Sequence, residues 1–325
     1  MLIAKAPLRI SIGGGGTDLP SYYSKFGSCF ISAAINKYVY IAVHKNFRDE
    51  FLLRYSETEK TNTIEQIKHP LIRECLKKAQ IKNHLEISSF ADIPAGTGLG
   101  SSGTFTVALL KALYTYGSIP HTALSVAEDA CHIEIEKLQS PVGKQDQYIA
   151  ATGGITRFKI EPNGLVHAEP LAMAQSTIHE LQDSLSLYFT GFFRSSSEVL
   201  SEQKSKSENP EMIDNLHFVK ELGDQIGKAL EKGQIEEFGK LMHTHWEHKK
   251  KRSNKTSNDE IDGYYELARK NGALGGKVIG AGGGGFLLLL SENRKKLRDS
   301  LRGTNLQEVP FSFDYLGTQV MLRES

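Results

Sequence analysis

An α+β fold in two domains is what this sequence predicts, and three observations carry the prediction. A strand pattern of period two opens the chain and runs into four successive glycines, Gly13 to Gly16. A loop rich in glycine and serine, Pro94 to Gly103, leads into a segment with helical apolar spacing. A second glycine cluster, Gly280 to Gly285, lies between two strand-like runs and follows two long amphipathic stretches. The 325 residues suffice for two separate cores, and 39% apolar with 24% charged residues is ordinary globular composition. The pattern changes between Glu169 and Asp183, which sets units of 1–175 and 176–325.

Composition excludes several classes of function. A formal net charge of +1 gives no general attraction for nucleic acid or an acidic membrane, so any polyanion must be bound by a local site. Cys29, Cys75 and Cys131 are odd in number and lack a CxxC pair, which points to free thiols in a reducing cytoplasm. The opening MLIAKAPLRISI is broken by Lys5, Pro7 and Arg9, and later apolar runs are strand-sized. Neither an export signal nor a membrane span is expected.

In chain order, Leu2 to Ile12 reads as a half-buried strand with Leu2, Ala6, Leu8, Ile10 and Ile12 toward the core and Lys5, Arg9 and Ser11 opposite. Arg9 therefore faces away from the core. The glycines after it deliver Thr17 and Asp18 on a loop able to approach a ligand closely, or else Asp18 caps the next helix. Tyr38 to His44, Phe51 to Tyr55 and Leu85 to Ser89 read as strands and Leu71 to Ala79 as a helix. This region reads as scaffold, with His44 and His69 as surface or packing residues.

The loop from Pro94 to Gly103 holds four glycines and two serines in ten residues, so backbone N–H groups can turn inward with no Cβ in the way. Phe105, Ala108, Leu109, Ala112, Leu113 and Tyr116 then mark one buried face of a helix. The free N–H groups and positive dipole end of that helix would hold a polyphosphate over Ser101 to Thr104. Gly117 and Pro120 stop the helix, and Thr122 starts another that carries Glu128, Asp129, Glu134 and Glu136, mostly a solvated face. GKQDQY places Asp146 behind a glycine turn, and Gly153 to Gly164 reads as a hairpin.

The second half opens with a strand, Leu185 to Thr190, and a helix cap at Ser195 to Ser197. Two amphipathic helices follow, and the second ends in HTHWEHKKKRSNK. His243 and His245 diverge on a helix, which disfavours a zinc site with His248. The run Lys249 to Arg252 reads as a solvated helix end, or one of these cations, or Arg194, grips a phosphate on the substrate. A helix from Asp259 to Asn271 leads to Gly280–Gly285, which formally matches the dinucleotide pattern GxGxxG. The strand-like run Phe286 to Leu290 after it, where that pattern needs a helix, argues against a dinucleotide site. A helix from Asn293 to Arg302 and a strand from Gly317 to Leu322 complete a split βαβ sandwich.

APLRISIGGGGTD, the Pro94-led GLGSS loop and GGKVIGAGGGG, in that order, resemble the three motifs of the GHMP kinases, which act on galactose, homoserine, mevalonate and phosphomevalonate. The resemblance implies an N-terminal domain like ribosomal protein S5 domain 2 and a ferredoxin-like C-terminal domain. It implies ATP on Pro94, Gly96, Gly98, Leu99 and Gly100 and on the helix start Ser101, Ser102, Gly103 and Thr104, with Mg²⁺ on Ser102 and Glu134. Asp146, in a GxxDQ segment, and Arg9 are the catalytic residues it implies. A free Asp has a pKa of about 3.9, so the task of Asp146 would be orientation and late proton acceptance, with Arg9 stabilising charge. The acceptor would touch Gly15, Gly16, Thr17, Asp18 and Asp146, together with Gly282, Gly283 and Arg194.

Leu8 stands where galactose kinases usually carry Gly, and no Glu-His pair lies within the first glycines. That departure argues against galactose. RISIGGGGTDLPSYY, GKQDQY and TGFFRSSSEVLSEQ are most similar to the branch that phosphorylates the anomeric hydroxyl of D-glycero-D-manno-heptose 7-phosphate, for nucleotide-activated heptose. A fucose kinase and a non-catalytic sugar sensor of the same fold are the alternatives. Expected partners are a sugar phosphate and ATP in the cytoplasm, without nucleic acid or membrane, and a homodimer is compatible with this reading.

Overall fold

The first strand, β1 (Leu2–Gly13), and the long β2 (Ser28–Lys45), flanking the short helix α1 (Pro20–Phe26), pair antiparallel and form the spine of the molecule. The computed structural model describes residues 1–193, 202 and 209–323. Pro7 has no N–H to give to a ladder, and the register slips between Pro7 and Leu8, where Pro7 faces Tyr38 and Leu8 faces Ile35. The C-terminal half of β2 pairs with β5 (Leu85–Ala91), which β3 (Phe51–Arg54) and β4 (Thr58–Thr61) extend. Its N-terminal half pairs with the hairpin β6 (Ile155–Ile160) and β7 (Val166–Pro170).

Between these strands lie α2 (Pro70–Lys78), α3 (Ser101–Tyr116), α4 (Ala123–Cys131), a π-helical turn (His132–Lys137) and α5 (Gln145–Thr152). The spacing predicts one buried face for α3. Instead it is buried almost all round, because α2, α4 and α5 flank it while its inner face lies on β1 and β2. Phe105 and Tyr116, read as core, are among its partly exposed positions. Thr122 opens α4 with a capping box, its Oγ1 accepting from Ser125 N at 3.1 Å.

After α6 (Gln175–Ser184), whose first residue abuts the expected boundary, the chain builds a second sheet. It comprises β8 (Leu185–Phe189), the helices α7 (Pro210–Glu231), α8 (Ile235–Lys250) and α9 (Asp259–Lys270), then β9 (Ala273–Val278), β10 (Phe286–Ser291), α10 (Arg294–Leu301) and β11 (Gln307–Glu308). The strand order β11-β8-β10-β9, all antiparallel, is the ferredoxin-like split βαβ arrangement. The expected helix cap at Ser195 to Ser197 lies outside the described residues.

Two expectations need correction. The last strand, β12 (Gln319–Arg323), does not complete the second sheet but crosses back to pair with β1 in the first. The cores are not separate either. One apolar cluster holds Ile10, Ile31 and Leu109 from the first half with Ile226, Phe238 and Leu288 from the second. A smaller cluster around Trp246, Tyr265 and Leu289 fills the far side of the second sheet. Cys29, Cys75 and Cys131 are free thiols. Among the described residues no helix is long and apolar enough to cross a membrane.

Candidate active site

The glycine loop between β5 and α3 lines a cavity of about 590 Å³, well within the range of small-molecule sites. Gly100 is the N-cap of α3 with φ +81°, and the N–H of Thr104 is the first to bond back, to Gly100 O at 3.0 Å. The amides of Ser101, Ser102 and Gly103 have no intrahelical acceptor, so the helix start is an anion seat. Ser101 Oγ is buried without a hydrogen-bond partner. The loop is pressed from both sides. A Cβ at Gly98, where φ is +85°, would stand 2.6 Å from Ile279 O, and one at Gly103 would stand 2.8 Å from Asp146 Cβ. The third glycine motif thus lies directly against the loop from Pro94 to Gly103.

Asp146 sits in the first turn of α5, across from β1. Arg9 Nε donates to Asp146 Oδ1 at 2.7 Å, and Arg9 Nη1 donates to Gly98 O at 2.5 Å. Arg9 is only 5% exposed. The alternation of β1 correctly turns Arg9 from the apolar core, but the opposite face meets this cavity and the glycine loop instead of water.

Glu134 lies on the π-helical turn, 1% exposed. Ser102 Oγ donates to Glu134 Oε1 at 2.5 Å and Gln147 Nε2 to Oε2 at 2.7 Å. Burial pushes its carboxyl up to about 7, against the lowering effect of those two hydrogen bonds. No cation pairs with it among the described residues. A buried carboxylate and a hydroxyl without a positive partner are a hard oxygen set that suits Mg²⁺, which takes one or two protein oxygens and fills the rest with water and phosphate. Ser102 and Glu134 fit the ion that the resemblance implies.

Asp18 does not cap α1, whose N-cap is Leu19. Its carboxylate accepts from Gly16 N at 3.0 Å and Gln145 N at 3.2 Å, tying the first glycine loop to the start of α5. Burial and the charge of Asp146 raise its pKa. Gly15, Gly16, Gly96 and Gly282 line the cavity with Asp18. Five expected contacts do not. Thr17 is fully buried, its hydroxyl bonded to Gly14 O and Ser28 Oγ, and Thr104 Oγ1 donates to Pro7 O. Leu99 is packed in the core, Gly283 N donates to Thr256 O, and Pro94 accepts from Thr97 Oγ1, so these residues shape the loops from behind. Arg194 lies outside the described residues.

The sequence reading missed one wall and offered part of a second only as an alternative. Tyr55, His69, Leu71, Phe90 and Phe105 form an apolar patch on the cavity, with His69 stacked edge-on to Tyr55, so the segment read as scaffold also lines the site. His245, Lys249, Arg252 and Lys277 form the other wall. The run from Lys249 to Arg252 is therefore not all solvated, since Lys249 is 7% and Arg252 3% exposed. Spacing was the available signal: Phe238, Met242, His245, Lys249 and Arg252 recur every three or four residues and continue the buried stripe of α8. The three histidines do not converge, for His243 bonds Tyr265 Oη, His245 meets Lys277 and His248 stacks on Phe218.

Comparison with known proteins supplies the family. A family model described as GHMP kinases N terminal domain matches residues 63–154, and one described as GHMP kinases C terminal matches 228–304. The chain is 29% identical to D-glycero-alpha-D-manno-heptose 7-phosphate kinase of Campylobacter jejuni, over 97% of both chains. It is 25% identical to L-fucokinase/L-fucose-1-P guanylyltransferase of Bacteroides fragilis, over 86% of this chain but 33% of that longer protein. The crystal structure of a D-glycero-D-manno-heptose 1-phosphate kinase from Bacteroides thetaiotaomicron matches with a TM-score of 0.83 at 27% identity, covering 100% of both chains.

Proposed function

The chain belongs to the GHMP kinases, and we propose that it transfers the γ-phosphoryl group of ATP to the anomeric hydroxyl of D-glycero-D-manno-heptose 7-phosphate. It is a phosphotransferase with an alcohol acceptor and ATP as donor. The observation that carries the acceptor chemistry is the Arg9–Asp146 pair, set against Gly100 and Gly103 at the mouth of α3 and sharing one cavity with the Ser102–Glu134 pair.

In this reading the polyphosphate lies over the free amides of Ser101 to Gly103, and the base lies against the apolar wall of Tyr55, Leu71 and Phe90. Ser102 and Glu134 would hold Mg²⁺, which when bound would neutralise charge on the phosphates. The acceptor oxygen forms its bond to the γ-phosphorus as the bridging oxygen leaves with its electron pair on ADP. Arg9 occupies Oδ1 of Asp146, so Oδ2 is the atom left to take the hydroxyl proton. Arg9 itself is anchored to Gly98 O and remains a fixed positive charge beside the transferring group. ATP as donor and three free thiols support a cytoplasmic setting.

The two heptose relatives are named for different positions of the phosphate, and the fucokinase relative keeps a second sugar in view. The deciding experiment is Mg²⁺-dependent ADP release with heptose 7-phosphate, heptose 1-phosphate, fucose, galactose and mevalonate. Turnover of heptose 7-phosphate with a 1,7-bisphosphate product is the expected result. Turnover of fucose alone would remove the heptose reading, and no turnover of any acceptor would favour a sugar sensor.

A further inference from the structure

Lys249, Arg252, Lys277 and His245 form a wall of buried donors that no ion pair among the described residues neutralises. Lys277 is 1% exposed on β9, the edge strand of the second sheet, at a buried position where a lysine is rare. Its Nζ donates to Ile12 O at 2.9 Å and meets His245 Nδ1 at 3.1 Å. With Lys277 protonated its Nζ can only donate, so His245 Nδ1 then accepts and the ring proton sits on Nε2. That Nε2 is buried without a partner. Lys249 Nζ spends two protons on Val278 O and Gly280 O and has a third left. Arg252 donates to Asn215 Oδ1 and Gly15 O, while its Nη2 is buried and unpartnered.

The nearby carboxylates are already engaged. Asp146 is bonded to Arg9, and Asp18 accepts two backbone amides, although its charge reaches Arg252. None of the three cations forms an ion pair among the described residues. Burial and mutual repulsion depress Lys249 and Lys277 well below the usual lysine range. Buried charges kept apart from any counter-ion cost stability, and each orphan group here is a donor. What satisfies all four at once is a compact anion with several acceptor oxygens and up to two negative charges.

We propose that His245, Lys249, Arg252 and Lys277 are the seat for a phosphate monoester already carried by the acceptor, remote from the hydroxyl that receives the new phosphoryl group. This rests on the sugar-phosphate reading above and identifies the residues that make the enzyme select a phosphorylated over an unphosphorylated sugar. The arrangement is economical: Lys249 bonds the carbonyl of Gly280, and Gly280 abuts Gly98 of the phosphate loop, so the two anion sites share one framework.

The test compares kcat/KM for heptose 7-phosphate and unphosphorylated heptose in the wild type, Lys277→Met and Arg252→Met. The ratio should fall about 10- to 100-fold in each variant, the loss expected for one charge-assisted hydrogen bond, with ADP affinity unaltered as the check on folding. A wild type that prefers the phosphorylated sugar while both variants retain the ratio would overturn the inference and leave the kinase reading intact. So would a rise in KM for ATP equal to that for the acceptor, since the wall would then serve the nucleotide. A wild type that turns over no heptose would defeat the functional reading alone. In that case inorganic phosphate, added with the nucleotide site saturated by a nonhydrolysable ATP analogue, should still raise Tm in the wild type and not in Lys277→Met. No rise in the wild type would end the proposal.

Discussion

Glu134, the proposed Mg²⁺ ligand, is also where pH meets stability. Its carboxyl is raised from 4.5 to about 7 by burial, so the folded metal-free protein holds this proton more tightly than the unfolded chain does. The stabilisation it contributes is complete below about pH 4.5 and lost as pH rises through about 7, amounting to about 3 kcal/mol. Glu134→Gln keeps the shape and removes the titration. The difference in unfolding free energy between variant and wild type, without Mg²⁺, should therefore grow in the variant's favour from pH 4.5 to 7, while Mg²⁺-dependent turnover disappears. Parallel stability curves would mean that Glu134 is already ionised in the apo protein. Asp146 obeys a different logic. Asp146→Asn can still meet Arg9 but offers no proton acceptor, so kcat should fall well over about tenfold while KM for ATP changes little. An unaltered kcat would move the proton acceptor elsewhere.

At the scale of elements, the loop before α3 is specified by what touches it. Gly98→Ala would meet two penalties: a left-handed backbone, about 1–2 kcal/mol, and a Cβ 2.6 Å from Ile279 O. Gly272→Ala meets the first alone, since φ there is +95° but nothing lies within 4 Å of the added carbon. Both variants should lose a few degrees of Tm, but only Gly98→Ala should also lose more than about tenfold in kcat/KM for ATP, as the amides of the cradle are displaced. Equal kinetics in the two would show that the loop adjusts freely. The same contrast explains what the sequence disclosed. Glycines, the GLGSS spacing and the strand after Gly285 are local signals, so the three loops and most elements were legible. The π-helical turn that carries Glu134 was not, nor was the burial of α3 on every side, because both depend on neighbours distant in the chain. Lys277 was a lone lysine in an apolar strand and His245, Lys249 and Arg252 a stripe on one helix; each was visible, but their meeting at one cavity is a property of the second sheet's topology.

The whole molecule joins its two sheets more closely than two linked domains need to. Ile10 and Ile31 of the first sheet share one core with Leu187 and Leu288 of the second, and α7, with Ile226 in the same core, packs on β1, β2 and α8. The chain end then returns to the first half. Thr318 Oγ1 donates to Lys5 O at 3.0 Å, Tyr38 Oη donates to Asp314 Oδ2 at 2.8 Å, and β12 covers the edge of β1. A fragment of residues 1–175 would expose both that open edge and half of the shared core, so it should aggregate instead of folding. In the intact protein the two halves should unfold together. Trp246, the single tryptophan, is fully buried behind the second sheet and reports that half alone, whereas far-UV circular dichroism reports both. Their urea transitions should coincide in midpoint and slope. The Arg9–Asp146 pair depends on this coupling, because Arg9 rides on β1 while the glycines that fix its loop are backed by Ile279 from the second sheet. If Trp246 fluorescence were lost at lower urea than the dichroism, the second half would open independently, and activity should vanish with the fluorescence while the first sheet is still intact.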